Sequence, residues 1–559
     1  MNKISRYRLS VIGYCLLLIG CGLAVSCAEY NEETHNFKVE KDPTYAQPYS
    51  DLNPVKSYIN RETYPNLTFG ATLNVSEFNK QELAHAAVVT NCDNVSFGTT
   101  LMSGTIVNSK GVMNFLDMID LLSHVEEIGY EVYGSPIVAN ANQADEWLST
   151  LTAPIEIPVD FVEGKKVDFT TMKEGDYEGT QDMGKATIVK YDGVNALKIP
   201  ASAQTRIIEG FEVDSLAKYT VTFVARAEKA TAKFNIVFSG NKLDGDDPTA
   251  VYGYALPSGR WNKFVVECKS KPGETAGYLR IENSKATAVY IQSVEVGYYP
   301  DNHRPQTAQE RTDTINYGLN AWCDGLMKIN AGRIKTFDLI DEAIGTNELD
   351  NGMFDLKHSD SKIFWQDILG SENYAPTVSK VASTAFAEYG GDPAALKFFI
   401  SESGLDDQKK LESLKYWIGI WDAKGAKIDG INAKLNLTYS EDAATQEANK
   451  ATLDNLLTNL ATTGKLIRLS NFDILYQDAD GNNVAAKNIT DDQRQKLADY
   501  YGYVIRSYMA KIPHDKQAGI CKGNLADTND PVGLWSVDTK KDWVRTATYK
   551  AFCDALSGN

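Results

Sequence analysis

Two adjacent carboxylates, Asp341 and Glu342, close an apolar run that extends from Lys335 to Ile344. A carboxyl group can give or take a proton, and two in one site can be driven to different pKa values, one acid and one base. Adjacent acids can also raise one pKa, bind a cation, or simply be solvated. The chemistry open to Glu342 therefore turns on whether a second carboxylate reaches it. The six His are isolated, which argues against a His-based metal site or triad. Cys15, Cys21 and Cys27 lie in the leading apolar stretch, and Cys92, Cys268, Cys323, Cys521 and Cys553 show neither metal-type spacing nor a disulfide framework. No cofactor is expected. Asp244, Asp246 and Asp247 could hold a structural Ca²⁺ or form an acidic solvated loop.

Something must hold these residues in place, and the hydrophobic pattern says what. Strand-like runs alternate with helical ones from Leu67 to Leu148. The strands are expected at 67–73, 94–101 and 131–139, and a helix at 113–129 with Phe115, Ile119, Leu122 and Ile128 on one side. From about Pro154 to Pro300 short β-type runs follow one another with no helix between them, as in Tyr219–Ala225, Phe234–Phe238, Trp261–Glu267 and Ala288–Val296. After Pro300 the alternation returns, with strands expected at 335–344, 396–401, 428–437, 466–474 and 517–521. That makes eight strands, each followed by a helix. The expected architecture is α/β, a (β/α)₈ TIM barrel interrupted after its third strand by an inserted all-β jelly-roll sandwich. The segments are a leader at 1–26, a Pro-containing tether at 27–60, the barrel's first part at 61–153, the sandwich at 154–300 and the barrel's second part at 301–559.

With 559 residues and a net charge of −18, the chain is a poor candidate for binding nucleic acid, whose phosphates need Lys and Arg clusters. It is compatible with neutral, hydroxyl-rich ligands. Lys3, Arg6 and Arg8 precede an apolar stretch that ends at Ala24-Val25-Ser26-Cys27, which resembles a bacterial lipoprotein cleavage box with Cys27 as the lipidated residue. Leu18-Ile19-Gly20-Cys21 is a rival box, and a plain secretory signal is the simpler reading. Loss of residues 1–26, which hold three positive charges and no acid, would take the charge from −18 to −21. The acidic stretch after Cys27 resembles the tag that sends lipoproteins of the Bacteroidetes to the outer face of the outer membrane. No later segment is long and apolar enough to span a bilayer.

The barrel resembles glycoside hydrolase family 10, the endo-1,4-beta-xylanase family. Phe337-Asp-Leu-Ile-Asp-Glu-Ala-Ile344 resembles the strand that carries the family's acid/base glutamate, and Phe364–Tyr374 the helix segment after it. Phe398-Phe-Ile-Ser-Glu-Ser-Gly-Leu405 resembles the fifth strand and Lys427-Ile-Asp-Gly-Ile431 the start of the sixth. The insert resembles carbohydrate-binding modules of the family 4 and 22 type, as found at this point in xylanases of gut Bacteroidetes. The resemblance implies a retaining mechanism, with an acid/base and a nucleophile about 5–5.5 Å apart. It puts Glu342 at the acid/base position and Asn471, in Leu469-Ser-Asn-Phe-Asp-Ile474, where the nucleophilic Glu should stand. An amide cannot form the glycosyl-enzyme ester.

Other sugar-gripping positions depart as well. Gly98-Thr-Thr-Leu-Met102 stands for Glu-Asn-Glu-Met-Lys, and Tyr133-Gly-Ser-Pro-Ile-Val-Ala-Asn140 for a strand rich in His and Trp. Asn436 replaces the sixth strand's His, and Lys522 the tryptophan after the eighth. The expected function is therefore glycan capture by a cell-surface lipoprotein, with xylan or a related plant β-glycan as partner, in an outer-membrane glycan-uptake complex. The alternative is an active endo-β-glycanase that draws its second carboxylate from Glu402 at the end of the fifth strand, or from Asp473, which strand alternation would point the same way as Asn471. The binding residues expected are Trp147, Asn140, Asn436 and Glu402 in the barrel, and Tyr252, Tyr254 and Phe238 in the insert. Trp322, Trp417 and Trp421 fall at helical spacing and are expected in the core, and Trp261 reads as structural.

Overall fold

The computed structural model describes residues 49–558, except 176–185, 215–216, 230–231, 244–253, 257, 284–286, 301 and 540. The leader, Cys27, most of the tether, Tyr252 and the aspartates at 244, 246 and 247 lie outside the described residues. The chain divides into two compact units, one of residues 1–147 with 319–559 and one of residues 148–318.

The larger unit is a closed barrel of eight parallel strands: β1 Phe69–Thr72, β2 Asn94–Ser96, β3 Glu131–Gly134 resuming at Val138–Ala139, β4 Thr336–Asp341, β5 Lys397–Ser403, β6 Gly430–Lys434, β7 Leu466–Ser470 and β8 Gln517–Lys522. Each is buried on both faces, so the sequences read as near-continuous apolar runs rather than alternating ones. β3 is broken at Ser135-Pro136, because proline has no N–H for the ladder; pairing resumes when the Ile137 N–H donates to the Asp338 carbonyl (2.9 Å). The closing pair joins Phe69 of β1 to Ile520 of β8.

Helices pack outside. α1, Leu116–Glu127, buries Met118, Leu121, Leu122 and Val125. Ile119 and Ile128, placed on the core side in the sequence reading, are 42% and 38% exposed. The stripe at 118, 121/122 and 125 satisfies the same helical period one residue out of phase, and packing chose it. α2, Ala308–Asn330, carries Trp322, whose Nε1 donates to the Ile137 carbonyl (2.8 Å). α3, Gln408–Ala423, is N-capped by Asp407 and seats Trp417 and Trp421 in the core. α4, Asp491–Lys511, starts with a full capping box from Thr490 and Gln493.

The smaller unit carries two antiparallel sheets. One runs Asn262–Cys268, Lys218–Ala227, Val289–Tyr299, Val194–Ile199 and Thr187–Tyr191; the other runs Asn241–Leu243, Ala232–Phe238, Ala276–Asn283 and Gln204–Glu212. Residues 218–227 alternate strictly between buried and wetter positions, so one side faces a core of Phe169, Val221, Phe223, Phe234, Ile236 and Phe238. Phe238, a binding-face candidate in the sequence, is fully buried there. Of Tyr254 only the backbone is described, as the start of the strand Tyr254–Leu256.

Candidate active site

Side chains at the carboxyl ends of parallel barrel strands face the mouth. β4 ends at Asp341, and Glu342 follows in the left-handed region (φ +55°). β7 ends at Ser470, and Asn471 follows in the same region (φ +51°). Asparagine tolerates that conformation and glutamate does so at a cost of about 1 kcal/mol or more. The left-handed residue also ends the strand's period of two. The extended strand foreseen to Ile474 therefore stops at Ser470, and Ile474–Gln477 pairs instead with Leu437–Ser440. The alternation that was to aim Asp473 alongside Asn471 does not apply.

Glu342 lies among lysines drawn from three elements. Lys434 Nζ of β6 is 3.1 Å from its Oε1, and Lys357 and Lys410 Nζ are 3.6 and 3.8 Å from its Oε2. Lys434 also pairs with Asp341 at 2.6 Å. Burial works against the Glu342 charge, but hydrogen bonds from Glu402 and Ser403 and the charge of Lys434 outweigh it and hold the carboxyl down at about 2. Burial likewise works against the Lys434 ammonium, and Asp341 and Glu342 outweigh it, raising Lys434 above its ordinary value.

The second carboxylate that reaches Glu342 is Glu402. It was expected in the open cleft; its side chain is fully buried. Lys410 Nζ is 2.7 Å from its Oε1, and the Ile344 N–H donates to its Oε2 at 3.1 Å. Burial and the neighbouring Glu342 charge push Glu402 up to about 8. The two carboxyls thus share one proton at neutral pH, with Glu402 the donor and Glu342 the anion.

Asn471 is exposed, and its Nδ2 donates to the Leu435 carbonyl at 3.0 Å. Asp473 is tied elsewhere: Lys522 donates to it, and Asn524 Nδ2 donates to its Oδ2 at 2.7 Å. Lys522, the position of the lost tryptophan, is fully buried and also donates to Phe472 O (2.7 Å), Val532 O (2.8 Å) and Tyr501 Oη (3.1 Å). Desolvation lowers its pKa.

The remaining candidates divide. Asn436 is exposed and lines a cavity with Lys434, Asp406 and Tyr500. Asn140 is buried and serves the site from behind: its Nδ2 donates to the Glu342 carbonyl (3.3 Å) and its Oδ1 accepts from Gln366 Nε2 (3.1 Å). Trp147, expected as a sugar-contact residue, is buried, 6% exposed. Its indole lies so close to Gly111 that a Cβ there would come within 2.6 Å of Nε1.

The sequence reading missed the lysines. Lys434 was legible in principle, as a cation in an otherwise apolar strand, which is rarely buried without an acid partner. Lys357 and Lys410 lie 77 residues or fewer from it but on other elements, and nothing in their local sequence marks them.

The family model described as glycosyl hydrolase family 10 matches residues 300–552. Among solved structures, xylanase B from Clostridium stercorarium F9 is 11% identical with a TM-score of 0.50, covering 90% of this chain and 100% of its own. Penicillium canescens endo-1,4-beta-xylanase XylE is 11% identical with a TM-score of 0.48, covering 90% and 98%. The xylanase TsXylA from Thermoanaerobacterium saccharolyticum is 12% identical with a TM-score of 0.48, covering 90% and 99%. At 11% identity the likeness to xylanase B is one of fold. No curated protein matches.

Proposed function

We propose that this chain, whose residues 300–552 match the glycosyl hydrolase family 10 model, holds a xylan-type β-glycan without cutting it. The observation that carries this reading is the state of Glu342. A general acid must keep its proton at working pH, and Glu342 is held at about 2 by its neighbours. The nucleophile position offers only the Asn471 amide, already hydrogen-bonded to Leu435. The exposed Asn436 and Asn471 and the partly exposed Lys434 would line the sugar cleft. Cys27 would carry the lipid that tethers the protein to the outer face of the outer membrane, where it would present glycan to an uptake complex.

The experiment is affinity electrophoresis of the full chain through gels containing xylans and other plant β-glycans, with reducing sugar assayed in parallel. Retardation without sugar release is expected. Sugar released by the wild type and lost in Glu342→Gln would sink the reading. A second reading, residual β-glycanase activity, draws on the proton that Glu402 keeps beside Glu342. It predicts that Glu402→Gln abolishes release as well. Labelling with palmitate, lost in Cys27→Ala, checks the anchor.

A further inference from the structure

The chain leaves β4 through a hairpin, Ile344–Glu348 paired with Phe354–Leu356, and then enters the short helix Trp365–Leu369. Lys357 follows the hairpin's second strand. Its N–H donates to the Ala343 carbonyl at 2.8 Å, and its carbonyl accepts from Gln366 Nε2 at 2.6 Å. The backbone that brings its ammonium to Glu342 is thus held between the base of the hairpin and the helix. His358 comes next, and its ring joins the same two elements. Nδ1 lies 2.5 Å from Asp367 Oδ1 on the helix, and Nε2 lies 3.3 Å from Asp355 Oδ2 on the hairpin.

A neutral imidazole has one N–H and one lone pair, and only the imidazolium donates from both nitrogens. With a carboxylate at each nitrogen, both contacts are made only when His358 is charged. Neutral His358 turns a lone pair toward one of the two acids. Burial works against the charge, but hydrogen bonds to Asp367 and Asp355 outweigh it and raise His358 above its ordinary value of 6.5. Among the described residues, His358 is the cation paired with either carboxylate. The neighbouring lysines are committed elsewhere: Lys357 to Glu342, Lys362 to Asp145, and Lys409 and Lys410 of α3 to Glu348 and Glu402. Asp360, in the same loop, is exposed.

We propose that His358 is a proton-operated latch at the barrel mouth. Charged, it clasps the hairpin to the helix. Neutral, it frees one of them, and residues 357–364 loosen together with the approach of Lys357 to Glu342. The fold favours the charged ring, so the order it confers is full below pH 6.5 and is lost as pH rises through the raised value. The latch concerns the order of the mouth and does not depend on what the cleft holds.

The test is hydrogen exchange of the full chain at pH 6 and pH 9, read by mass spectrometry over peptides spanning 343–370 and corrected for the intrinsic effect of pH on exchange. Wild-type protection in this segment should fall by about two- to fivefold between the two pH values, the worth of an ion pair between partly exposed groups. His358→Gln, which never charges, should show the lower protection at both. Glu402 also titrates in this window and accepts the Ile344 N–H. It is present in both proteins, so the difference between them isolates His358. Peptides over α4 should respond alike in both. An NMR titration of the six His, with His358 identified by its absence from the variant, gives a second reading: its midpoint should lie above 6.5 and drop in Asp367→Asn. The same pH response in wild type and His358→Gln, or a midpoint at or below 6.5, would overturn the proposal.

Discussion

Replacing Glu402 by Gln should make the barrel's stability less sensitive to pH, and the size follows from the buried pair. In the fold Glu402 holds its proton up to about 8, against an ordinary value of 4.5. The unfolded chain releases that proton near 4.5. The resulting stabilisation is fully present below pH 4.5 and is lost as pH rises toward 8, at up to about 1.4 kcal/mol per pH unit, or about 5 kcal/mol over the interval. Gln keeps the shape and can still donate to the Glu342 carboxylate, but it carries no titrating proton. Glu342 itself titrates near 2, outside the window. Asp338, pushed up to about 6 by burial, contributes equally to both proteins and cancels. Urea unfolding at pH 5, 6, 7 and 8, followed by Trp fluorescence, isolates the barrel, because seven of the eight Trp lie in its unit. The stability of the variant relative to wild type should climb by several kcal/mol between pH 5 and 8. A difference that stays flat within about 1 kcal/mol would mean that Glu402 is ionised in the fold, and the shared-proton account of the site would fall.

Asn471→Glu should not produce a xylanase, because Glu342 still lacks a proton to give; reducing-sugar release from xylan by this variant would show that Glu402, Ser403 and Lys434 do not disable Glu342. Lys522→Met should destabilise the barrel by about 3 kcal/mol in urea unfolding, since it strands Asp473 and three further acceptors without their shared donor. Thr490→Ala should remove about 1 kcal/mol by opening the capping box of α4.

The barrel was legible because strands buried on both faces write themselves as apolar runs, and eight of them recur at the right spacing. The β-sheets of the 148–318 unit were legible through alternation, as at 218–227. Three features were not. β3 breaks at Pro136 because of a missing N–H, and its run of apolar residues conceals the break. α1 admits two apolar stripes, and only packing selects between them. β7 ends at a left-handed Asn471, which no hydropathy pattern announces. The site was half legible. Glu342 and Asn471 were named at the strand ends they occupy, yet the groups that hold the Glu342 proton off come from β5 and β6, as Glu402, Ser403 and Lys434, and the further lysines beside it from α3 and the loop after Leu356. A constellation gathered across the fold has no spacing in the sequence.

The barrel closes by joining Phe69 to Ile520. The first strand is therefore made long before its neighbour exists. Likewise β3 waits for β4 while the whole of residues 148–318 is synthesised. That intervening stretch contains its own partners, beginning with the hairpin of Thr187–Tyr191 and Val194–Ile199. On the nascent chain it can complete its sheets while β1 to β3 still present open edges. Pairings that span such long loops are slow to form, and exposed edges invite association with other chains. The order of birth thus sets a schedule: the interruption is finished first, the cylinder last, and any chain cut short of Gln517 leaves β1 with one neighbour in place of two.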